Sequence, residues 1–464
     1  MFKRSFASAC VMLSLANAGK AQSGPSLGDS PPSESAPARS VQPVSSTVDS
    51  PAPETVPAKT PEVVSTKVGA CEEPAADWSA LGAGGGACDF DQIWVGADYL
   101  HWWMKGQQTN VPVVATANGV GTFNDDFVPS SSVRTIPGSG SSGITGVSGL
   151  RLTAGAWLDR DRTFGVEVSA FLFDTATRSQ NYSSNSAGSP LLGIPFIDGT
   201  GARQLAVIAI PTGIPGGPVT GGETGSIHMR FASQLWGAES NAVASLLRED
   251  NFRLEALAGF RYLDLRDTFD LTTSSTGFGA VGPFFPSSLG FTATDRLTTT
   301  DSFTARNQFY GGQAGLRGQY VSGDWSLALS GKLAMGDMHQ RVESSGFSNF
   351  DRAVLPDSSL SRGYFAGPTN SGVRSQDKFC VIPDVEIKAG YNVTRWMRAT
   401  VGYNYLYVSS VARAASQLDN RLPAAQSFRD ITFSPGANSG VPRADIQTTS
   451  FWAHGINAGL EFRW

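Results

Sequence analysis

Phe252, Leu254, Ala256, Ala258, Phe260 and Tyr262 alternate with Arg253, Glu255, Leu257, Gly259 and Arg261. Residues two apart lie on one face of a strand, so this stretch predicts a strand with one apolar and one charged face. The pattern recurs over 93–103, 150–158, 164–172, 226–247, 298–320, 325–338, 384–393, 398–407 and 456–464, giving ten strands in all. The last of these sets Ile456, Ala458, Leu460, Phe462 and Trp464 against Gly455, Asn457, Gly459, Glu461 and Arg463, and the sequence stops on an aromatic residue. Such an ending resembles the assembly signal of bacterial outer-membrane β-barrels.

The connections sort the candidate folds. Short turns at 159–162, 248–251, 322–324 and 394–395 alternate with five long stretches rich in Gly, Ser, Thr, Asn and Pro. Short turns on one side, long loops on the other and an even strand number are the rules of transmembrane barrels. Aromatic residues gather at both strand ends: Phe164, Phe252, Tyr320, Trp325, Tyr391, Trp396 and Trp464 toward the short turns, and Trp102, Trp103, Tyr262, Tyr403, Tyr405, Phe451 and Trp452 toward the long loops. Two girdles around an aliphatic band suit a bilayer. A soluble sandwich also alternates but has no cause to sort its rings this way. The expected fold is all-β, a single antiparallel transmembrane up-and-down β-barrel over 89–464, with ten strands, or twelve if a long loop hides a hairpin. Unpaired strand edges in lipid would each leave backbone groups unsatisfied at several kcal/mol, so the last strand is expected to pair with the first.

Ahead of the barrel, Lys3 and Arg4 precede a short apolar run and small residues up to Ala21, the layout of a secretory signal peptide (1–21). Residues 22–75 are dominated by Pro, Ser, Ala, Val and Thr and are expected to be a disordered spacer, either a tether to peptidoglycan or a solvated tail. No later stretch reaches 18 uninterrupted apolar residues. In an oxidising compartment Cys71 and Cys88 are the expected disulfide pair, leaving Cys380 over. The formal net charge of −5 gives no reason to expect nucleic acid, and no residue spacing indicates a metal or cofactor.

Several stretches resemble the putative beta-barrel porin-7 family of outer-membrane proteins. They are 94–103, Phe164-Gly165-Val166-Glu167, Leu257-Ala258-Gly259-Phe260-Arg261-Tyr262-Leu263, 306–313, 331–340 and above all 383–413, with Val401-Gly402-Tyr403-Asn404-Tyr405-Leu406-Tyr407 followed by Ser410-Val411-Ala412-Arg413. The resemblance runs from about residue 90 to the end. It implies an outer-membrane barrel in contact with lipid and inserted by the barrel-assembly machinery, and it carries no established substrate or oligomeric state.

The polar faces converge on one interior. Asp98, Arg151, Glu167, Glu239, Arg253, Glu255, Arg261, Arg317, Lys332, Glu386, Lys388, Arg398, Glu461 and Arg463 are the candidate lumen residues. Two readings stand: a narrow charged pore for small polar solutes, or a lumen filled by its own paired charges in a structural or surface-interaction barrel that works through its outer loops. An enzyme would need a base and acids converging at one rim. His101, His339 and His454 fall near the long-loop rim with Asp264, Asp267, Asp270, Asp301 and Asp337, but the period turns the three histidines outward, so no catalytic site is expected.

Overall fold

The computed structural model describes residues 92–117, 134–137, 145–197, 201, 203–212, 222–278, 294–353, 356–421 and 441–464. The expected signal peptide, the Pro/Ser-rich spacer and the Cys71–Cys88 pair lie outside these residues. Cys380 is a free, buried thiol.

The strands are β1 (Ile93–Met104), β2 (Pro112–Ala117), β3 (Arg134–Pro137), β4 (Thr145–Trp157), β5 (Phe164–Phe173), β6 (Ala176–Ser183), β7 (Leu191–Ile197), β8 (Arg203–Ala209), β9 (Gly222–Arg248), β10 (Phe252–Phe278), β11 (Arg296–Ser322), β12 (Trp325–Asp351), β13 (Ser358–Leu360), β14 (Gly372–Asn392), β15 (Met397–Ala412) and β16 (Thr448–Arg463). Ten of them close a ring in the order β1, β4, β5, β9, β10, β11, β12, β14, β15, β16, every pairing antiparallel. The seam is β16 on β1, with Arg463 opposite Trp94 and Ala453 opposite Met104. A short break at Asp174 and Thr175 carries β5 into β6, which continues along β9.

Strand length separates two storeys. A membrane strand needs about 9–11 residues, and β5 and β1 have 10 and 12. β9, β10, β11 and β12 have 27 each, and β14 has 21. At about 3.4 Å per residue, 27 residues run far past a lipid belt about 25 Å tall. The sequence expectation of strands ending near Tyr262 and Met338, and of a loop up to Lys378, is therefore corrected. The period continues through those stretches, but the identity of its two faces changes.

Along β12 the outward residues are Trp325, Leu327, Leu329, Leu333 and Met335, then Asp337, His339, Arg341 and Glu343. On β11 they read Tyr320, Leu316, Ala314 and Tyr310 in the belt, then Gln308, Arg306, Thr304, Ser302 and Thr300 above it. The inward face does the opposite. Arg317 and Gln313 lie below, whereas Phe309, Ala305 and Phe303 lie above and are fully buried. The upper storey is thus a wall that is polar outside and apolar inside, as any protein surface in water would be.

Described segments of the long connections pack into that apolar interior. β2, β3, β7 and β8 form a second, four-stranded sheet. Val113, Val114, Leu192, Ile194 and Ile208 from it pack with Ile227, Met229, Phe269, Phe303 and Val342 of the wall and with Tyr364, Phe365 and Leu418. Asp301, fully buried, pins one of these inserts by accepting hydrogen bonds from the backbone N–H groups of Tyr364 (2.9 Å), Phe365 (3.0 Å) and Ala366 (2.7 Å). Burial pushes its carboxyl up to about 6, against the pull of those three donors. Arg413 fastens a second insert: it pairs with buried Asp267 and donates from Nη1 to the carbonyl of Lys105 (3.1 Å).

Candidate functional site

The alternation places one face of every ring strand toward the barrel axis, and what stands there depends on height. At the short-turn end the ring encloses a chamber of about 190 Å³. Its lining includes all fourteen charged residues singled out from the sequence: Asp98, Arg151, Glu167, Glu239, Arg253, Glu255, Arg261, Arg317, Lys332, Glu386, Lys388, Arg398, Glu461 and Arg463. Asp384 and Asn404 line it as well. Asp384 is missing from the sequence-derived set although it shares the polar face of Glu386 and Lys388, two and four residues on, and that parity is the signal that finds it.

Most of these charges neutralise one another. Glu239 receives Arg261 at 2.5 Å and Lys332 at 2.5 Å, and Asp384 receives Arg261 at 2.7 Å with Lys332 at 3.7 Å. Arg151 meets Glu386 at 2.9 Å, and Lys388 meets Asp98 at 3.0 Å. Arg317 lies between Glu167 (2.6 Å) and Glu255 (3.3 Å). Glu461 takes Arg463 at 2.5 Å and Arg398 at 3.8 Å. Amide side chains complete the set, with Asn457 donating to Glu386 (2.8 Å) and Asn404 (2.7 Å). Charges held out of bulk water persist only when paired and hydrogen-bonded in this way, so the network spans the lumen from wall to wall.

Above the chamber lies an apolar septum to which all ten ring strands contribute. It contains Leu100, Trp102 and Met104 of β1, Val147 of β4, Phe173 of β5, Leu235 of β9, Leu263 of β10, Phe309 of β11, Met338 of β12, Ile382 of β14, Leu406 of β15 and Phe451 of β16. Trp102, 1% exposed, has its ring centroid 5.0 Å from that of Phe173, and Arg151 of the chamber lies under it at 5.6 Å. This corrects the sequence assignment of Trp102 and Phe451 to the outer girdle: both point inward. Trp102 has the same parity as Asp98, and the interior it meets four residues higher is apolar. The girdle at that height is made instead by Trp103, Tyr403, Tyr405 and Trp452 around His454, and by Trp236, Tyr262 and Tyr310 in ring contact across three strands.

The histidines face outward, as the period predicts. His454 Nδ1 lies 2.6 Å from the Tyr403 hydroxyl and His339 Nδ1 lies 2.6 Å from exposed Asp377. Of the rim acids, Asp267 and Asp301 are buried in structural hydrogen bonds and Asp264 pairs with Arg306 at 2.6 Å. No group of three metal-ligating side chains occurs among the described residues.

A family model described as Putative beta barrel porin-7 matches residues 94–464, which is every ring strand from the second residue of β1 to the C-terminal tryptophan. The chain belongs to that family. Membership points to a bacterial outer membrane, in agreement with the closed ring and its lipid-facing belt. No curated protein sequence matches the chain. Among solved structures, the outer membrane protease OmpT from Escherichia coli is similar at 11% identity and TM-score 0.33, over 81% of this chain and 98% of that one. A Pseudomonas aeruginosa FadL homologue is similar at 8% identity and TM-score 0.20, over 81% and 90%. The P. putida toluene transporter TodX is similar at 10% identity and TM-score 0.18, over 81% and 90%.

Proposed function

We propose that this family member is a non-enzymatic outer-membrane barrel, short turns toward the periplasm, that is closed to free diffusion and acts through the wall it raises outside the bilayer. The observation that supports this reading is the septum. Water and small ions cross an apolar constriction poorly even when it is open, and this one is filled by side chains from all ten strands. Its ceiling is held by two further buried attachments, Arg413 on Asp267 and the Tyr364–Ala366 backbone on Asp301. The wall offers a hydroxyl-rich outer face, with Thr268 beside Thr304, Thr272 beside Thr300 and Ser274 beside Thr298. Surfaces of that kind on a rigid scaffold suit contacts with other cell-surface material.

A second reading, a narrow pore for small polar solutes, draws on the charged chamber beneath. It requires the septum to open. The two part in one measurement, single-channel conductance of the folded protein in a planar bilayer. A silent bilayer is expected for the natural sequence, and stable current steps are expected when Trp102→Ala and Phe173→Ala are combined. Regular steps from the natural sequence would overturn the closed reading. We further propose that a cleaved leader delivers the chain for insertion by the barrel-assembly machinery, and that the Pro/Ser-rich segment serves as a tether to peptidoglycan.

A further inference from the structure

On the outer face of the wall three arginines stand in one row across three strands. Arg266 of β10 is opposite Arg306 of β11, and Arg306 is opposite Arg341 of β12. All three are exposed. Side chains directly opposite on one face of a sheet start about 4.5–5.5 Å apart, and like charges so placed repel. Arg306 reaches back toward the belt, donating from Nε (3.0 Å) and Nη2 (2.6 Å) to buried Asp264, which lies opposite Gln308 one rung nearer the lipid. Asp264 also accepts from the Tyr262 hydroxyl at 3.0 Å. Arg341 approaches Glu343 at 3.9 Å with both side chains more than half exposed, and exposed Asp337 lies two rungs below on β12.

Beneath the row the belt has a groove. Trp236, Tyr262 and Tyr310 are in ring contact at its head. The next rung sets exposed Phe260 and Met335 on either side of Gly312. A Cβ on Gly312 would meet no atom of the described residues nearer than the Gly259 carbonyl, at 3.9 Å. The rung below it is Ala258, Ala314 and Leu333. Small residues thus floor a channel along β11, walled by Phe260 on one side and by Met335 and Leu333 on the other. Arg306 lies four residues above Tyr310, roughly 13 Å along the strand at about 3.4 Å per residue. Strand tilt and the backward reach of a long guanidinium side chain bring the charge down to headgroup level.

We infer that this face binds a phosphate-bearing lipid of the outer leaflet, its phosphate across Arg266, Arg306 and Arg341 and an acyl chain along Gly312 and Ala314. A phosphate set between guanidiniums turns their mutual repulsion into attraction, and their paired N–H donors match its oxygens. The groove selects a lipid over a free phosphate because it runs from the row into the hydrocarbon. Assignment to the outer leaflet rests on the orientation proposed above. Binding by the purified protein depends neither on that orientation nor on whether the barrel conducts.

The test is native mass spectrometry of the full-length protein, folded in neutral detergent, with dioleoyl phosphatidic acid, with dioleoyl phosphatidylcholine and with inorganic phosphate. A retained phosphatidic acid adduct is expected, with phosphatidylcholine, which carries the same chains, bound at least about ten-fold more weakly. Arg266→Gln combined with Arg341→Gln spares the Arg306–Asp264 pair and should weaken phosphatidic acid binding by about ten-fold or more. Gly312→Leu fills the groove and should also lower the bound fraction, whereas Arg395→Gln at a short turn should leave it unchanged. Heat-modifiable gel migration shows that each variant is folded. Equal retention of the two lipids, or undiminished phosphatidic acid binding by the folded double variant or by folded Gly312→Leu, would overturn the assignment. So would inorganic phosphate binding as tightly as the lipid, because the ligand would then be a soluble anion.

Discussion

The two halves of β11 are built from one continuous 27-residue strand and obey opposite rules. In the lower half Tyr320, Leu316, Ala314 and Tyr310 face out and Arg317 and Gln313 face in, while in the upper half Thr304, Ser302 and Thr300 face out and Phe309, Ala305 and Phe303 face in. The strand is continuous and keeps the same two pairing partners throughout, so the inversion follows the medium on its outer side. Lipid outside demands apolar side chains and leaves the lumen to polar ones. Water outside demands the reverse, and the interior then closes like the core of a soluble protein. The boundary falls at Tyr310 and Asp337, which lie opposite each other on β11 and β12. The change of face along one strand thus marks where the lipid-facing belt ends.

The contrast can be broken on either side. The largest losses are expected inside. Phe303→Ala in the upper core should cost about 3–5 kcal/mol, read as a lowered urea midpoint for the folded barrel. Glu239→Ala in the chamber should cost a similar amount, about 3–5 kcal/mol, because Arg261 and Lys332 lose the carboxylate they share and Asp384 alone remains to them. Outward changes should then separate the storeys. Leu329→Arg, in the belt, is expected to destabilise by about 2–4 kcal/mol, whereas Thr304→Arg on the same face above the belt should stay within about 0.5 kcal/mol. Equal effects in the two positions would place the boundary elsewhere.

A smaller effect belongs to pH. Asp301 binds its proton more tightly in the folded state than in the unfolded chain, its carboxyl lying near 6 instead of the ordinary 3.8. Between those values the native state holds more protons, so this group's contribution falls as pH rises from about 4 to 6, by up to about 1.4 kcal/mol for each unit separating the two values. Urea titrations across that window should show the slope, and Asp301→Asn should flatten it.

Much of the lower storey was legible from the sequence because its alternation is unmixed. Phe252–Tyr262 and Trp325–Met335 each set aliphatic or aromatic residues against charged or small ones, and parity alone gives the lumen set. The upper storey was harder to read. Thr, Ser and Asn opposite Phe and Leu have the same period but weaker contrast, and the four short strands β2, β3, β7 and β8 lie among Gly and Pro residues that read as loop. Parity and height had to be combined to find the septum. Trp102 and Trp103 are adjacent aromatics of similar hydrophobicity, and only the pairing of β1 with β4 and β16 shows that one fills the barrel while the other meets the interface.

The seam between β16 and β1 also orders events in time. Its partners, Trp94 and Arg463, are separated by nearly the whole barrel sequence, whereas β9 meets β10 and β11 meets β12 across turns of a few residues. Hairpins of the second kind can form early and locally, but ring closure must wait for the final strand to be delivered. Until then β1 carries an open row of backbone donors and acceptors at the membrane. The pairing of β16 with β1 is what satisfies that edge.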